Sequence, residues 1–467
     1  MKKIIVVFVF AVQFAIYSQN IRESLEEILA EPFFDTTLAA VNVYNLTKGL
    51  DEYKKNNSLL MRPASNMKVI TTAAALKYLG IDFNFETRLC YDGEIEGSEL
   101  KGNLYVKGGG DPDFQTSDLD DFVADVKKLG IKKINGSLIG DVSFKDSLFW
   151  GSGWMWDDDP STDAPYLSAL NINSNCITII VTINEQGKID ITSEPETHYV
   201  KPISFLRETS TPKERITITR DYINRTNDIL VKGEYEKSKA LRIITPLNVY
   251  KPEFYFLQLL KEKFANEEIE IVDGLNISKL PAGAKEISKI ERSFGEVIVN
   301  LNKTSDNLSA EMTLLAMGQR YSEGPASAKK GLKMIDSLII ECGFNPRNYR
   351  IEDGSGVSHY TLVSVELLTG ILKYMYYEQP ELQKVLEESF PNAGIDGTLK
   401  SRMKGTLAES NLRAKTGTLS GVSCLTGYVT GKGGDKYAFS IMIQNHVAKT
   451  SRAIEYQNRI CEILANN

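Results

Sequence analysis

Helical periodicity in this 467-residue chain gives way near residue 80 to roughly 200 residues of mostly short strand-like runs and dominates again from near residue 290. At about 100–200 residues per domain, a chain of this length does not organise around one continuous core. The middle is therefore expected to be β-rich inserted structure. Its runs fall at 104–106, 137–139, 176–183, 216–219 and 229–231, with amphipathic helices expected at 119–129, closed by Gly130, and at 253–264.

The flanking regions read differently. Residues 38–44 form an apolar strand entering a polar turn at 45–49. Residues 65–79 carry Met67, Val69, Ile70, Ala73, Ala74 and Leu76 around a wide apolar surface, which predicts a buried helix closed by Gly80. After residue 290, helices are expected over 308–315, 328–342 and 364–377. Strands at 423–430 and 437–444 flank a 431–435 turn, and a last helix covers 451–464.

Charge and composition exclude several functions. With 42% hydrophobic and 25% charged residues the chain is a folded soluble protein, and a net charge of -7 lacks the broad positive field that nucleic-acid binding draws on. His198, His359 and His446 are far apart, and no HxxxH or CxxC pair is present, so no metal site is expected. Five scattered cysteines, at 90, 176, 342, 424 and 461, read as mostly buried thiols with at most one or two bridges.

Lys2 and Lys3 precede a stretch at 4–17 that is apolar apart from Gln13, the pattern of a secretory signal over residues 1–18. It is shorter than the about 20 residues a membrane span needs, so the mature protein is expected to be exported to a periplasm, without an integral membrane segment. Ile16 is large for the cleavage rule, which leaves an uncleaved N-terminal anchor as the alternative. No cysteine near the junction points to a lipid anchor.

Three short motifs carry chemistry. Ser65 and Lys68 form an S-x-x-K tetrad at the start of the buried helix, where i,i+3 spacing sets the amine one turn above the hydroxyl. A serine hydroxyl needs a neighbour to take its proton, and a buried lysine can do so as its neutral amine. The same spacing recurs at 98/101, 210/213, 327/330 and 401/404. The proline-led entry at Pro63 and the apolar helix single out Ser65, against the alternative of a plain helix cap with a snorkelling lysine. Ser305 and Asn307 form an S-x-N motif, and Lys415, Thr416 and Gly417 the sole K-T-G, followed by Thr418. The glycine runs at 108–110 and 353–356 match no phosphate or metal loop and read as tight turns, and His359 reads as a surface or hydrogen-bonding residue.

In this order the motifs resemble the signature of penicillin-recognising serine acyltransferases. More narrowly, the chain resembles the D-alanyl-D-alanine carboxypeptidases/endopeptidases of the DacB class, the S13 peptidases, through R-P-A-S-N-M-K at 62–68, G-G-G-D-P at 108–112, E-D-G-S-G at 352–356 and D-G-T-L at 396–399. The 237 positions from Lys68 to Ser305 (305 - 68) are long enough for whole inserted domains, as in that class. The resemblance implies an α+β catalytic domain, a penicillin-recognising serine transpeptidase-like fold with an antiparallel sheet flanked by helices. It would comprise residues 20–85 plus 290–467, split by two nested β-rich domains over 86–289.

It further implies a serine D,D-peptidase of peptidoglycan stem peptides that releases terminal D-alanine or cuts D-Ala cross-links, with β-lactam antibiotics as covalent inhibitors and with no cofactor or metal. Ser65 would be the nucleophile and Lys68 its base. Ser305 would relay a proton to the leaving amine, Asn307 hold the substrate amide, and Lys415 supply positive potential. Thr416 and Thr418 would meet the substrate carboxylate, Gly417 would admit an extended ligand, and the amides of Ser65 and Thr418 would form the oxyanion hole. Two alternatives stand beside this reading: a serine β-lactamase, disfavoured by the long insert and by Ser305, and a non-catalytic cell-wall binding protein, disfavoured by three intact motifs. Deacylation base, stem-peptide specificity and oligomeric state stay open.

Overall fold

The computed structural model describes residues 21–467, so the segment read as a signal lies outside the described residues. The chain divides into two compact units. One comprises residues 21–81, Ile298–Tyr321 and Ala328–Asn467, the other Asp82–Val297 and Ser322–Ser327.

The first unit is built on five strands, β1 (Leu38–Asn45), β2 (Leu50–Lys55), β3 (Arg413–Leu419), β4 (Val422–Thr430) and β5 (Lys436–Gln444), in the order β3-β4-β5-β1-β2. Every pairing is antiparallel. Val41 pairs with Ile441 and Val43 with Phe439, so the two ends of the chain close one sheet. This is the α+β architecture expected.

Side chains alternate across a strand, and the sheet uses its two faces differently. Val41, Val43, Leu425, Val429, Phe439, Ile441 and Ile443 form one apolar face, packed with Ile460, Cys461 and Leu464 of the C-terminal helix Thr450–Asn466 and with Leu25 and Ile28 of the helical residues 21–29. Each such side chain contributes about 1.5–3 kcal/mol of burial. The opposite face carries Asn42, Ser440 and Thr426 side by side. There Thr426 and Ser440 share a hydrogen bond of 2.8 Å, and Thr426 Oγ1 accepts from Asn66 Nδ2 at 2.6 Å.

The 64–66 turn packs on that second face and leads into α1 (Met67–Tyr78), whose residues 67–76 are all buried. Alanine and leucine are strong helix formers, no glycine or proline interrupts them, and Gly80 at φ 82° ends the helix by donating to the Ala75 carbonyl at 3.2 Å. Helices α2 (Asn307–Arg320) and α3 (Val365–Glu378) enclose α1. The polar helix Pro380–Ser389 is one that periodicity did not mark, because only Gln383, Leu386 and Ser389 of it are buried.

The second unit holds four small sheets and two helices. A five-stranded sheet runs Leu275–Ile277, Leu138–Asp141, Leu104–Gly108, Asn84–Tyr91, Lys285–Ser293, and Lys201–Thr209 pairs parallel with Asp228–Glu236 in another. Leu119–Lys128 and Pro252–Asn266 send Phe122, Val126, Phe256 and Phe264 into one apolar cluster with residues of the strands. A fully buried Arg220 is paired there with Asp159. All five cysteines of the chain are free thiols.

Candidate active site

Ser65 sits in a single 3-10 turn, Ala64–Asn66, at the mouth of α1, and is half-buried. Asn66 N–H donates to the Pro63 carbonyl at 3.0 Å, and the Asn66 side chain is tied to Thr426, so the turn is fastened to the sheet. Ala64 adopts φ 47°, a conformation non-glycine residues rarely take, and such strain collects where structure over-determines a site.

One turn on, Lys68 is fully buried and its Nζ lies 3.0 Å from Ser65 Oγ. The same nitrogen donates to Asn307 Oδ1 and, at 2.9 Å, to the Ser355 carbonyl oxygen. A neutral amine has two N–H donors and one lone pair. With Asn307 and Ser355 accepting its two donors, a neutral Lys68 amine has its lone pair left for the serine hydroxyl 3.0 Å away. The arrangement therefore suits proton transfer from Ser65 to Lys68.

Asn307 opens α2, where Asp306 caps the helix by accepting from the Ser309 amide at 2.6 Å. Ser305 precedes that cap, half-buried and at φ 67°. The turn that carries Asn307 to Lys68 thus carries Ser305 as a second non-glycine residue in the left-handed region.

The K-T-G segment lies on β3, one of the sheet's two edge strands. The Ala414 amide donates outward to Pro391 at 3.0 Å, away from β4, and alternation by two then turns the Thr416 and Thr418 amides to the same open edge. Thr418 is exposed, and Thr416 Oγ1 shares a 2.7 Å hydrogen bond with Thr398. A Cβ on Gly417 would meet the Pro63 carbonyl oxygen at 2.7 Å and the Ser65 amide nitrogen at 3.1 Å. The close approach that Gly417 permits is thus to the serine turn itself, in addition to any ligand.

Lys415 is fully buried and donates to the Thr416 carbonyl at 3.0 Å. Burial first, and then repulsion from Lys68, hold its amine well below the ordinary lysine range. The expected source of positive potential is therefore reluctant to ionise in this site, because its burial disfavours the ammonium and the charge of Lys68 adds to that.

Two groups escaped sequence reasoning. The 353–356 segment is more than a tight turn: Ser355 supplies a carbonyl to Lys68, and Gly356, at φ 84°, leaves no room for a Cβ, which would stand 1.9 Å from the Ala64 carbonyl oxygen. Glu311, four residues after Asn307 on α2, accepts from the Gly354 and Ser355 amides at 3.0 and 2.8 Å. Its i,i+4 relation to Asn307 was the available signal. His359 Nδ1 stands 3.4 Å from Arg62 Nη1. Among the described residues, no group of three or more His, Cys, Asp or Glu is placed to hold a metal ion.

Residues 21–467 match the D-Ala-D-Ala carboxypeptidase 3 (S13) family. The chain belongs to that family. Among S13 relatives it is 29% identical over 91% of its length to D-alanyl-D-alanine carboxypeptidase DacB of Haemophilus influenzae, covering 94% of that protein. It is 28% identical over 93% of its length to a D-alanyl-D-alanine carboxypeptidase of Actinomadura sp., covering 83% of it. The crystal structure of penicillin binding protein 4 (dacB) from H. influenzae superposes with a TM-score of 0.82 at 28% identity, over 93% of this chain and 97% of that one. The same H. influenzae protein has been crystallised with a β-lactam, at a TM-score of 0.77 and 27% identity to this S13 chain, over 94% of it and 98% of that one.

Proposed function

We propose that this S13 chain is an exported, periplasmic serine D,D-peptidase that acts on peptidoglycan stem peptides ending in D-Ala-D-Ala. The unit formed by residues 21–81, 298–321 and 328–467 is its catalytic domain and the 82–297 region an insert into it. The observation that carries the reading is the Lys68 amine 3.0 Å from Ser65 Oγ, with Asn307 Oδ1 and the Ser355 carbonyl also accepting from it.

Ser65 Oγ attacks the carbonyl carbon of the penultimate D-alanine while its proton passes to Lys68 Nζ. The negative charge on the former carbonyl oxygen meets the amides of Ser65 and Thr418, and each such donor contributes about 100- to 1,000-fold in rate. The C–N bond then breaks, the leaving amine takes a proton relayed by Ser305, and terminal D-alanine departs. Water attacks the resulting ester, returning the Ser65 hydroxyl and the shortened peptide. Asn307 holds the substrate amide. The substrate carboxylate, received by Thr416 and Thr418, favours the ionised form of Lys415 and offsets the cost of its burial. A cross-linked peptide entering the same site is cut by the same steps.

The test is D-alanine release from a defined stem peptide, with intact-mass measurement after exposure to a β-lactam. Wild type should release D-alanine and hold a long-lived adduct. Ser65→Ala should lose both while keeping its circular dichroism, and D-alanine release by that variant would remove Ser65 as nucleophile. Rapid multiple turnovers of a chromogenic β-lactam would favour a lactamase instead.

A further inference from the structure

Lys68 is held by two acceptors with different origins, and both lead back to α2. Asn307 reaches it directly. The other acceptor, the Ser355 carbonyl, belongs to a segment with no regular structure, yet that segment is pinned from several sides. Glu311 Oε1 accepts the successive amides of Gly354 and Ser355, Thr71 Oγ1 of α1 donates to the Gly354 carbonyl at 2.7 Å, and Asp353 Oδ2 accepts the Ser358 amide at 2.7 Å. Gly354 fits because a Cβ would approach the Ala310 carbonyl oxygen to 2.9 Å. Glu311 is 2% exposed, and the peptidase reading gives it no task.

We propose that Glu311 is a positioning residue for the Lys68 base: by holding the Gly354 and Ser355 amides on one carboxyl oxygen, it fixes the Ser355 carbonyl that orients the lysine amine toward Ser65. The inference rests on the Ser65–Lys68 pair. Burial first, and then the neighbouring Asp353 carboxylate, push the Glu311 carboxyl up to about 8. The site thus favours its neutral acid form, which still accepts hydrogen bonds through its carbonyl oxygen. A neutral group also orients Lys68 without adding a negative charge that would favour the ammonium, the form unable to act as base.

Two variants test this in the full chain, Glu311→Gln, which keeps a carbonyl acceptor of similar shape, and Glu311→Ala, which removes it. The readouts are kcat and KM for D-alanine release, and the rate at which an alkyl fluorophosphonate, which needs no peptide recognition, modifies Ser65. Glu311→Ala should lower kcat and the fluorophosphonate rate by about 10- to 100-fold with KM within about 3-fold, the size expected when a reacting group loses its alignment. Glu311→Gln should stay within about 3-fold of wild type in both. An Ala variant with wild-type kcat overturns the proposal, as does a Gln variant that falls as far as Ala. Should the Ala variant fail to fold, the Gln variant decides alone, a loss beyond that 3-fold range overturning it. If wild type releases no D-alanine while the fluorophosphonate rate still depends on Glu311 as stated, the peptidase reading fails and this inference stands.

Discussion

Adding one methyl group at Gly417 is expected to damage catalysis more than stability. An alanine Cβ there would lie 2.7 Å from the Pro63 carbonyl oxygen, 3.0 Å from the Asn66 nitrogen and 3.1 Å from the Ser65 nitrogen. These are backbone atoms of a turn held by the Asn66–Pro63 hydrogen bond and by the Asn66 side chain on Thr426, so no flexible side chain can yield. Reaching ordinary contact at 3.4 Å requires the strand and the turn to part by about 0.7 Å. Gly417 is not in the left-handed region, so the effect is steric. Overpacking costs about 1–3 kcal/mol, and the lower entropy of the unfolded alanine chain returns about 0.4–1, leaving a net loss between about 0 and 2.6 kcal/mol.

The same displacement separates the Ser65 amide from the Thr418 amide, the two donors assigned to the oxyanion. Misplacement on this scale costs about 100-fold in rate, or roughly 2.7 kcal/mol of transition-state stabilisation. The assay pairs kcat for D-alanine release and the rate of β-lactam adduct formation with a thermal melt. A folded Gly417→Ala protein with wild-type kcat refutes the reasoning, because the strand–turn contact would then not set the reacting geometry.

Three other outcomes follow from the same geometry. Lys415→Met should raise the melting temperature near neutral pH and raise KM for the peptide. Between the lowered folded value and 10.5 the unfolded chain binds a proton the folded one releases, so wild-type stability rises with pH through that window, a slope the variant should lack. Glu311 has the opposite sign: its folded value, near 8, lies above 4.5, so its contribution to stability is complete below about 4.5 and is lost as pH rises through 8. Urea titrations of Glu311→Gln across that range should show the loss removed. Asp159→Ala, which strands an Arg220 that also binds Asn248 and the Thr226 carbonyl, should cost about 3–5 kcal/mol in urea unfolding, and an unchanged midpoint would show the pair to be unimportant.

Much of the fold was legible because burial imposes a period. The α1 helix and the strands β4 and β5 stand where runs of apolar residues required them. The polar helix Pro380–Ser389 buries too little to leave a period, and the small strands Glu94–Glu96 and Glu99–Lys101 are too short to read.

Within the site, local spacing determined that Lys68 would stand one turn from Ser65, since an i,i+3 relation in a helix needs no tertiary information. The order of three short motifs, and the family they resemble, named Ser65, Asn307 and Lys415 as candidates. What only the tertiary structure decided is how Lys68 is held. Its partners Asn307 and Ser355 lie 239 and 287 positions away, one of them acts through a backbone carbonyl that every residue possesses, and Glu311 acts through that carbonyl in turn. Backbone groups carry no signature in a sequence, and the charge on a buried amine depends on what the folded chain packs around it, so the chemistry of Lys68 and Lys415 belongs to the fold rather than to their motifs.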